Sequence, residues 1–221
     1  MRIWKKKWLS SNVRFRMVVL SISQPVAPVC ISLLILFFIV NLVIPDSSSK
    51  LGLVTVNTII VNSYVWNLVT SCFYENSLIK LILDFIGLGC YMRYRMEYGP
   101  FDQFALFFAF NILACTIGTS AWCFMRFFFT GMESMLLDPI FGFSGVLMML
   151  LVHARSQLRN EPIIFNQPSI TYNNLPIIII FFQILFWITG FRFLARDLPF
   201  TIIGLLFSWG YLRYHIKNEV W

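Results

Sequence analysis

Long apolar stretches separated by short polar breaks make up most of this chain. A helix needs about 20 mostly apolar residues to cross a bilayer, and six stretches approach that length. They predict spans at Val26 to Ile44, Ser77 to Tyr94, Phe101 to Met125, Pro139 to His153, Leu175 to Ala195 and Pro199 to Tyr214. The breaks have local causes. Pro45 to Lys50 is a turn cluster. Arg93, Arg95 and Glu97 do not belong in hydrocarbon, and Gly99-Pro100 closes that helix. Asp138-Pro139 reads as an N-cap followed by proline at the first helical position. Arg155 to Asn174 is the longest polar connection, and Arg196-Asp197 with Pro199 separates the last two spans. The basic residues ahead of the first span also fit a signal peptide, but no small-x-small cleavage site follows, so that span is expected to be a retained anchor.

Composition agrees with the pattern. The chain of 221 residues is 58% hydrophobic and 12% charged, about half the charged share of an ordinary soluble domain. A soluble enzyme, a disordered protein and a nucleic-acid-binding domain are thereby excluded. The net charge of +7 becomes a question of sidedness. Arg2, Lys5, Lys6, Lys7, Arg14 and Arg16 precede the first span. Arg93 and Arg95, Arg155 and Arg159, and Arg213 and Lys217 fall on the same side in a six-span topology. Lys50, Lys80, Arg126, Arg192 and Arg196 fall on the other. Twelve basic residues against five place both termini in the cytoplasm. Five or seven spans, the alternative counts, would strand the C-terminal pair on the poorer side. The expected organisation is a basic cytoplasmic segment (1–25), a six-span core (26–214) and a short cytoplasmic tail (215–221).

Chemistry-bearing residues are few. Cys30, Cys72, Cys90, Cys115 and Cys123 form no paired motif and read as small buried hydrophobes, and the two histidines, His153 and His215, give no metal pattern. No metal and no cofactor are expected. Lys80 and Asp84 lie one turn apart inside the second span and are expected to neutralise each other as an intramembrane pair. Asn111 is expected to bridge helices. Trp66, with Tyr64, Phe73 and Tyr74, fits a membrane-interface loop. Gly142, Ser144 and Gly145 flatten one side of the fourth span, and Gly204 with Ser208 flattens the sixth. Small residues let membrane helices approach closely, so these two spans are expected to pack together.

Several of these segments resemble a known family. Tyr64 to Phe73, with Trp66 followed by Thr70, is similar to the aromatic-Trp-x-x-x-Thr segment of rhomboid-like proteins. Tyr98-Gly99 followed by Phe104 is similar to a Trp-Gly-x-x-x-x-Phe/Leu step before span 3. Gly142-Phe143-Ser144-Gly145 matches the rhomboid G-x-S-G, and Phe207 to Tyr214 is close to an S-W-x-Y-L-R-aromatic ending. Over about residues 60 to 215 the chain most resembles the Golgi rhomboid-like transmembrane proteins of eukaryotes. Two features depart from that pattern: Arg95 stands where the family usually has glutamate, and the chain ends at Trp221 where family members carry a long cytoplasmic tail.

The resemblance implies a six-helix rhomboid-like bundle and directs attention to Ser144, the position of a rhomboid nucleophile. Active rhomboids take their base from an A-H-x-x-G-x-x-x-G pattern in span 6 and their oxyanion donors from H-x-x-x-N in span 2. Here Thr201 stands at the histidine position and span 2 has no histidine. A serine without a base is not an activated nucleophile, so a pseudoprotease with a vestigial Ser144 is expected. The resemblance further implies a Golgi membrane location, a role in Golgi-to-ER retrograde traffic, self-association, and partners among membrane proteins and cytoplasmic tethering complexes, with no nucleic acid. A Derlin-like ER quality-control factor and an intramembrane serine protease of unusual mechanism are the alternatives.

Overall fold

In a computed structural model of the chain, residues 26–44, 46–56, 64–92, 101–158, 162–164, 167–191 and 196–219 are described. The basic segment before Val26, the Arg93-to-Pro100 break with its Tyr98-Gly99 step, and the residues after Glu219 lie outside them.

The helices follow the apolar stretches. They are α1 (Val26–Val43), the short α2 (Ser47–Leu51) and α3 (Asn67–Thr70), α4 (Leu78–Met92), α5 (Phe101–Thr130), the short α6 (Ser134–Leu137), α7 (Ser144–Gln157), α8 (Leu175–Ile188) and α9 (Leu198–Glu219). Helix α7 is the hub: every residue from Phe141 to Ala154 is buried, and α4, α5, α8 and α9 all pack against it, α9 most extensively. Its 14 residues make a rod of roughly 21 Å, shorter than the ~30 Å of hydrocarbon. The surrounding helices relieve it of meeting lipid. Helix α1 shows the opposite condition. It buries Ala27, Cys30 and Leu34 along one stripe while Val29, Leu36, Ile39 and Leu42 stand exposed. A helix that is apolar all round and half uncovered has lipid for its solvent.

Two local expectations are corrected. Asp138-Pro139 does not start a helix. Asp138 is extended at φ −70°, ψ 128°, and Ile140 exchanges backbone hydrogen bonds with Leu53 (2.8 and 3.0 Å). That bridge holds the segment straight until the chain turns at Gly142, and α7 begins at Ser144. The polar connection after α7 is also more ordered than a loop. Pro162–Ile164 and Gln167–Thr171 form an antiparallel hairpin, β1 and β2. It feeds Tyr172, fully buried, under α4, where its hydroxyl donates to the Cys90 carbonyl. Two strands of this size leave the molecule an all-α membrane protein.

Candidate functional site

The N-terminal ends of α4, α7 and α9 meet at one end of the bundle, and the G-x-S-G segment lies among them. Gly142 turns the chain with φ at +150°, a conformation L side chains rarely adopt. Its N–H donates to the Ser71 carbonyl (3.0 Å). A Cβ on Gly142 would sit 2.6 Å from Asp197 Oδ2, so glycine here serves both the turn and the close approach of a carboxylate. The next N–H, on Phe143, donates to Glu75 Oε1 at 3.0 Å.

Glu75 is the centre of a buried ionic cluster. Lys80 Nζ lies 3.4 Å from Glu75 Oε2 and 3.2 Å from Asp197 Oδ2. Glu75 and Asp197 are fully buried, and Lys80 and Asp84 nearly so. The cluster joins the turn before α4 (Glu75), α4 itself (Lys80), the turn before α7 (Phe143) and the residue before α9 (Asp197). Three carboxylates face one ammonium. Burial pushes the Glu75 carboxyl up to about 7, with Asp197 adding to the rise and Lys80 and the Phe143 N–H opposing it.

The expected Lys80–Asp84 pair is corrected by this geometry. Among the described residues Lys80 makes ion pairs with Glu75 and Asp197, while Asp84, one turn further along α4, makes none and its Oδ2 lacks a hydrogen-bond partner. A lysine at the start of a helix reaches outward to the carboxylates of neighbouring turns more readily than along its own rod. Glu75 was not singled out by sequence reasoning, and Asp197 was read only as part of a break. The available signal was position: each acid lies two residues before a predicted span, close enough to fold back over its first turn.

Ser144 is the first residue of α7 and is buried, and among the described residues its Oγ has no hydrogen-bond partner. Thr201 is fully buried on the first turns of α9, and its hydroxyl donates to the Asp197 carbonyl (3.3 Å). His153 lies nine residues further along α7, roughly 13 Å from Ser144, with its ring beside Phe107. The side chain of His215 is outside the described residues. The two backbone N–H groups that precede Ser144, on Gly142 and Phe143, are already given to Ser71 and Glu75. The turn that would present a nucleophile is instead bonded into the scaffold.

Comparison with known proteins identifies the family. Residues 27–220 match the family described as "Eukaryotic integral membrane protein (DUF1751)". The chain belongs to this family of rhomboid-like eukaryotic membrane proteins. Rhomboid-like protein 19 of Arabidopsis thaliana is 29% identical over 177 residues, covering 77% of this chain and 54% of that protein. The chain therefore spans about half the length of this curated relative. No solved structure matches it.

The other singled-out residues of this rhomboid-like core have structural places. A Cβ on Gly204 would meet the Gly145 carbonyl oxygen at 2.5 Å, and one on Gly145 the Phe200 carbonyl oxygen at 2.9 Å. Helices α7 and α9 thus cross backbone against backbone. One turn below, Ser208 Oγ accepts from Asn111 Nδ2 at 2.7 Å, which ties α5 to α9. Trp66 stacks on Tyr64 with ring centroids 4.7 Å apart and donates from Nε1 to the Lys50 carbonyl (3.3 Å). It remains half exposed, with a polar edge satisfied and an apolar face turned outward.

Proposed function

We propose that the protein is a non-catalytic rhomboid-like membrane protein of the Golgi, with both termini cytoplasmic, acting in Golgi-to-ER retrograde transport. It binds transmembrane clients or tethering factors, and cuts nothing. In this topology the ionic cluster and Ser144 lie towards the lumenal side. The observation that carries the reading is the occupation of the rhomboid site: Glu75 takes the Phe143 N–H next to Ser144, and Thr201 stands where a histidine base belongs. Nucleophilic and oxyanion contributions are the two large terms in serine catalysis; among the described residues no histidine stands beside Ser144, and the two N–H groups before it are engaged. The Golgi and transport parts rest on the resemblance to the Golgi rhomboid-like proteins.

A fluorophosphonate probe applied to the membrane-embedded protein tests the non-catalytic part. No labelling is expected at Ser144, and S144A is expected to leave client association unchanged. Covalent labelling that S144A abolishes would establish the protease reading instead. Microscopy with proximity labelling of the tagged protein tests location: a Golgi pattern with retrograde-transport neighbours supports the proposal, and an ER pattern supports the Derlin-like alternative.

A further inference from the structure

Beside the start of α9, next to the ionic cluster in the chain, the last turns of α5, the end of α8 and the first turns of α9 leave a cavity of about 630 Å³. That is within the ~300–1,000 Å³ range of small-molecule sites. Its lining divides by chemistry. Arg126, Arg196, Ser134 and Asp138 supply its polar part, and Ile184 and Ile203 belong to its apolar part. Ile203 is five residues into α9 from Leu198, roughly 7 Å along the axis. Trp122 and Trp187 line the cavity and are each half exposed, so its open side faces the lipid-exposed surface.

The polar rim has a specific charge pattern. The Arg196 guanidinium lies 5.2 Å above the Phe141 ring, which fixes it in place. Among the described residues, neither Arg126 nor Arg196 has a carboxylate within ion-pair distance, although Asp138 lines the same cavity. Two cations without an ion-pair partner above an apolar trough, with indole rings at the boundary, match a phosphodiester above an acyl chain. Arginine is the residue suited to phosphate because its planar fork donates two parallel hydrogen bonds. Asp138, in the same polar part, suits an ammonium carried by the same headgroup.

We propose that this cavity is a lipid site that takes one glycerophospholipid from the bilayer, with its phosphate between Arg126 and Arg196 and an acyl chain along Ile184 and Ile203. A transmembrane helix is the rival occupant, and it does not need two arginines at the rim.

The test uses the full chain in detergent, with native mass spectrometry and thermal unfolding as readouts. Three probes separate the contributions: dioleoyl phosphatidylethanolamine, dioleoylglycerol without the phosphate, and inorganic phosphate without the chains. The phospholipid is expected to give a one-to-one adduct and to raise the unfolding temperature by several degrees, and the other two are expected to give neither. The double variant R126A/R196A is expected to weaken the adduct at least tenfold. R213A, which changes an arginine stacked on Trp209 near the other end of α9, is expected to leave it intact. I184W, which fills the trough while keeping both arginines, is expected to weaken it as well, and unfolding curves without lipid identify any variant that fails to fold. Equal binding of dioleoylglycerol, equal stabilisation by phosphate alone, or an adduct that survives R126A/R196A in folded protein would overturn the proposal. So would photocrosslinking from position 187 that captures a protein helix in place of lipid.

Discussion

Helix α9 is held to its neighbours in two different ways, and the contrast explains how this bundle coheres. Against α7 it lies backbone on backbone, with Gly204 over Gly145 and no room for a Cβ on either side. Against α4 it is joined through charge, with Asp197 just before α9 reaching Lys80. Lipid tails are as apolar as leucine, so burial of apolar area does little to bring membrane helices together, and packing and polar contacts take over. The glycine crossing works by close approach. The ionic junction fixes orientation, because one ammonium satisfies two carboxylates from different loops. The first tolerates no added atom, and the second tolerates no removed partner.

The sharpest way to break the comparison is at Lys80. K80M keeps the volume of the side chain and removes its charge, leaving Glu75 and Asp197 buried without a cation. Breaking a buried pair this way costs about 3–5 kcal/mol, read as lost stability in detergent unfolding. The triple variant E75Q/K80M/D197N is expected to recover part of that loss, since no uncompensated charge remains. A K80M protein as stable as the parent would show that the cluster is not an electrostatic junction.

The glycine crossing gives the next effect. G204A places a Cβ 2.5 Å from the Gly145 carbonyl oxygen, and backbone has no rotamer with which to yield. Overpacking of this kind costs about 1–3 kcal/mol. G89A on α4, where a Cβ meets nothing within 4 Å, is the matched control and is expected to be neutral.

A more gradual effect, spread over several pH units, is expected from pH. The Glu75 carboxyl is raised from an ordinary 4.5 to about 7 in the folded protein, so between those values the folded state binds more protons than the unfolded one. Stability is then greatest below about 4.5 and falls as pH rises through about 7, with a slope no steeper than about 1.4 kcal/mol per pH unit. E75Q is expected to flatten that stretch of the profile. A profile that rises across the same window would mean that Lys80 dominates and holds Glu75 ionised.

These two junctions were not equally legible in the sequence. The glycine crossing was legible in part: Gly145 and Gly204 belong to stripes of small residues that the sequence shows, whereas Gly142 of the same stripe serves the turn before α7 and Ser208 meets α5 through Asn111. The helices were legible too, because apolar length alone predicts them. The ionic junction was not. Its members, Glu75, Lys80 and Asp197, are separated by up to 122 positions, and two of them sit in turns where charge looks like ordinary solvated punctuation. Local spacing therefore favoured Asp84 as the partner of Lys80, and only the convergence of three helix starts reveals the distant ones. The Asp138-Pro139 boundary failed for a related reason. Its helix-start signal is sound locally, but the backbone pairing of Ile140 with Leu53 competes with it and wins.

The smallest effect is expected where a catalytic reading would place the largest. Ser144 Oγ is buried at the start of α7 without a hydrogen-bond partner among the described residues, so S144A removes a hydroxyl that contributes no bond there. The change is expected to stay within about 0.5 kcal/mol, and a slight gain in stability is consistent with removing an unsatisfied polar group. The informative comparison is with S208A, measured under the same conditions. Ser208 is also a buried serine on a small-residue stripe, but its Oγ accepts from Asn111. Removing it leaves a buried amide unsatisfied, at a cost of about 1–3 kcal/mol. If S144A proved the more damaging of the two, Ser144 would have a partner or a role that the site geometry does not contain, and the assignment of the G-x-S-G segment to the scaffold would fail.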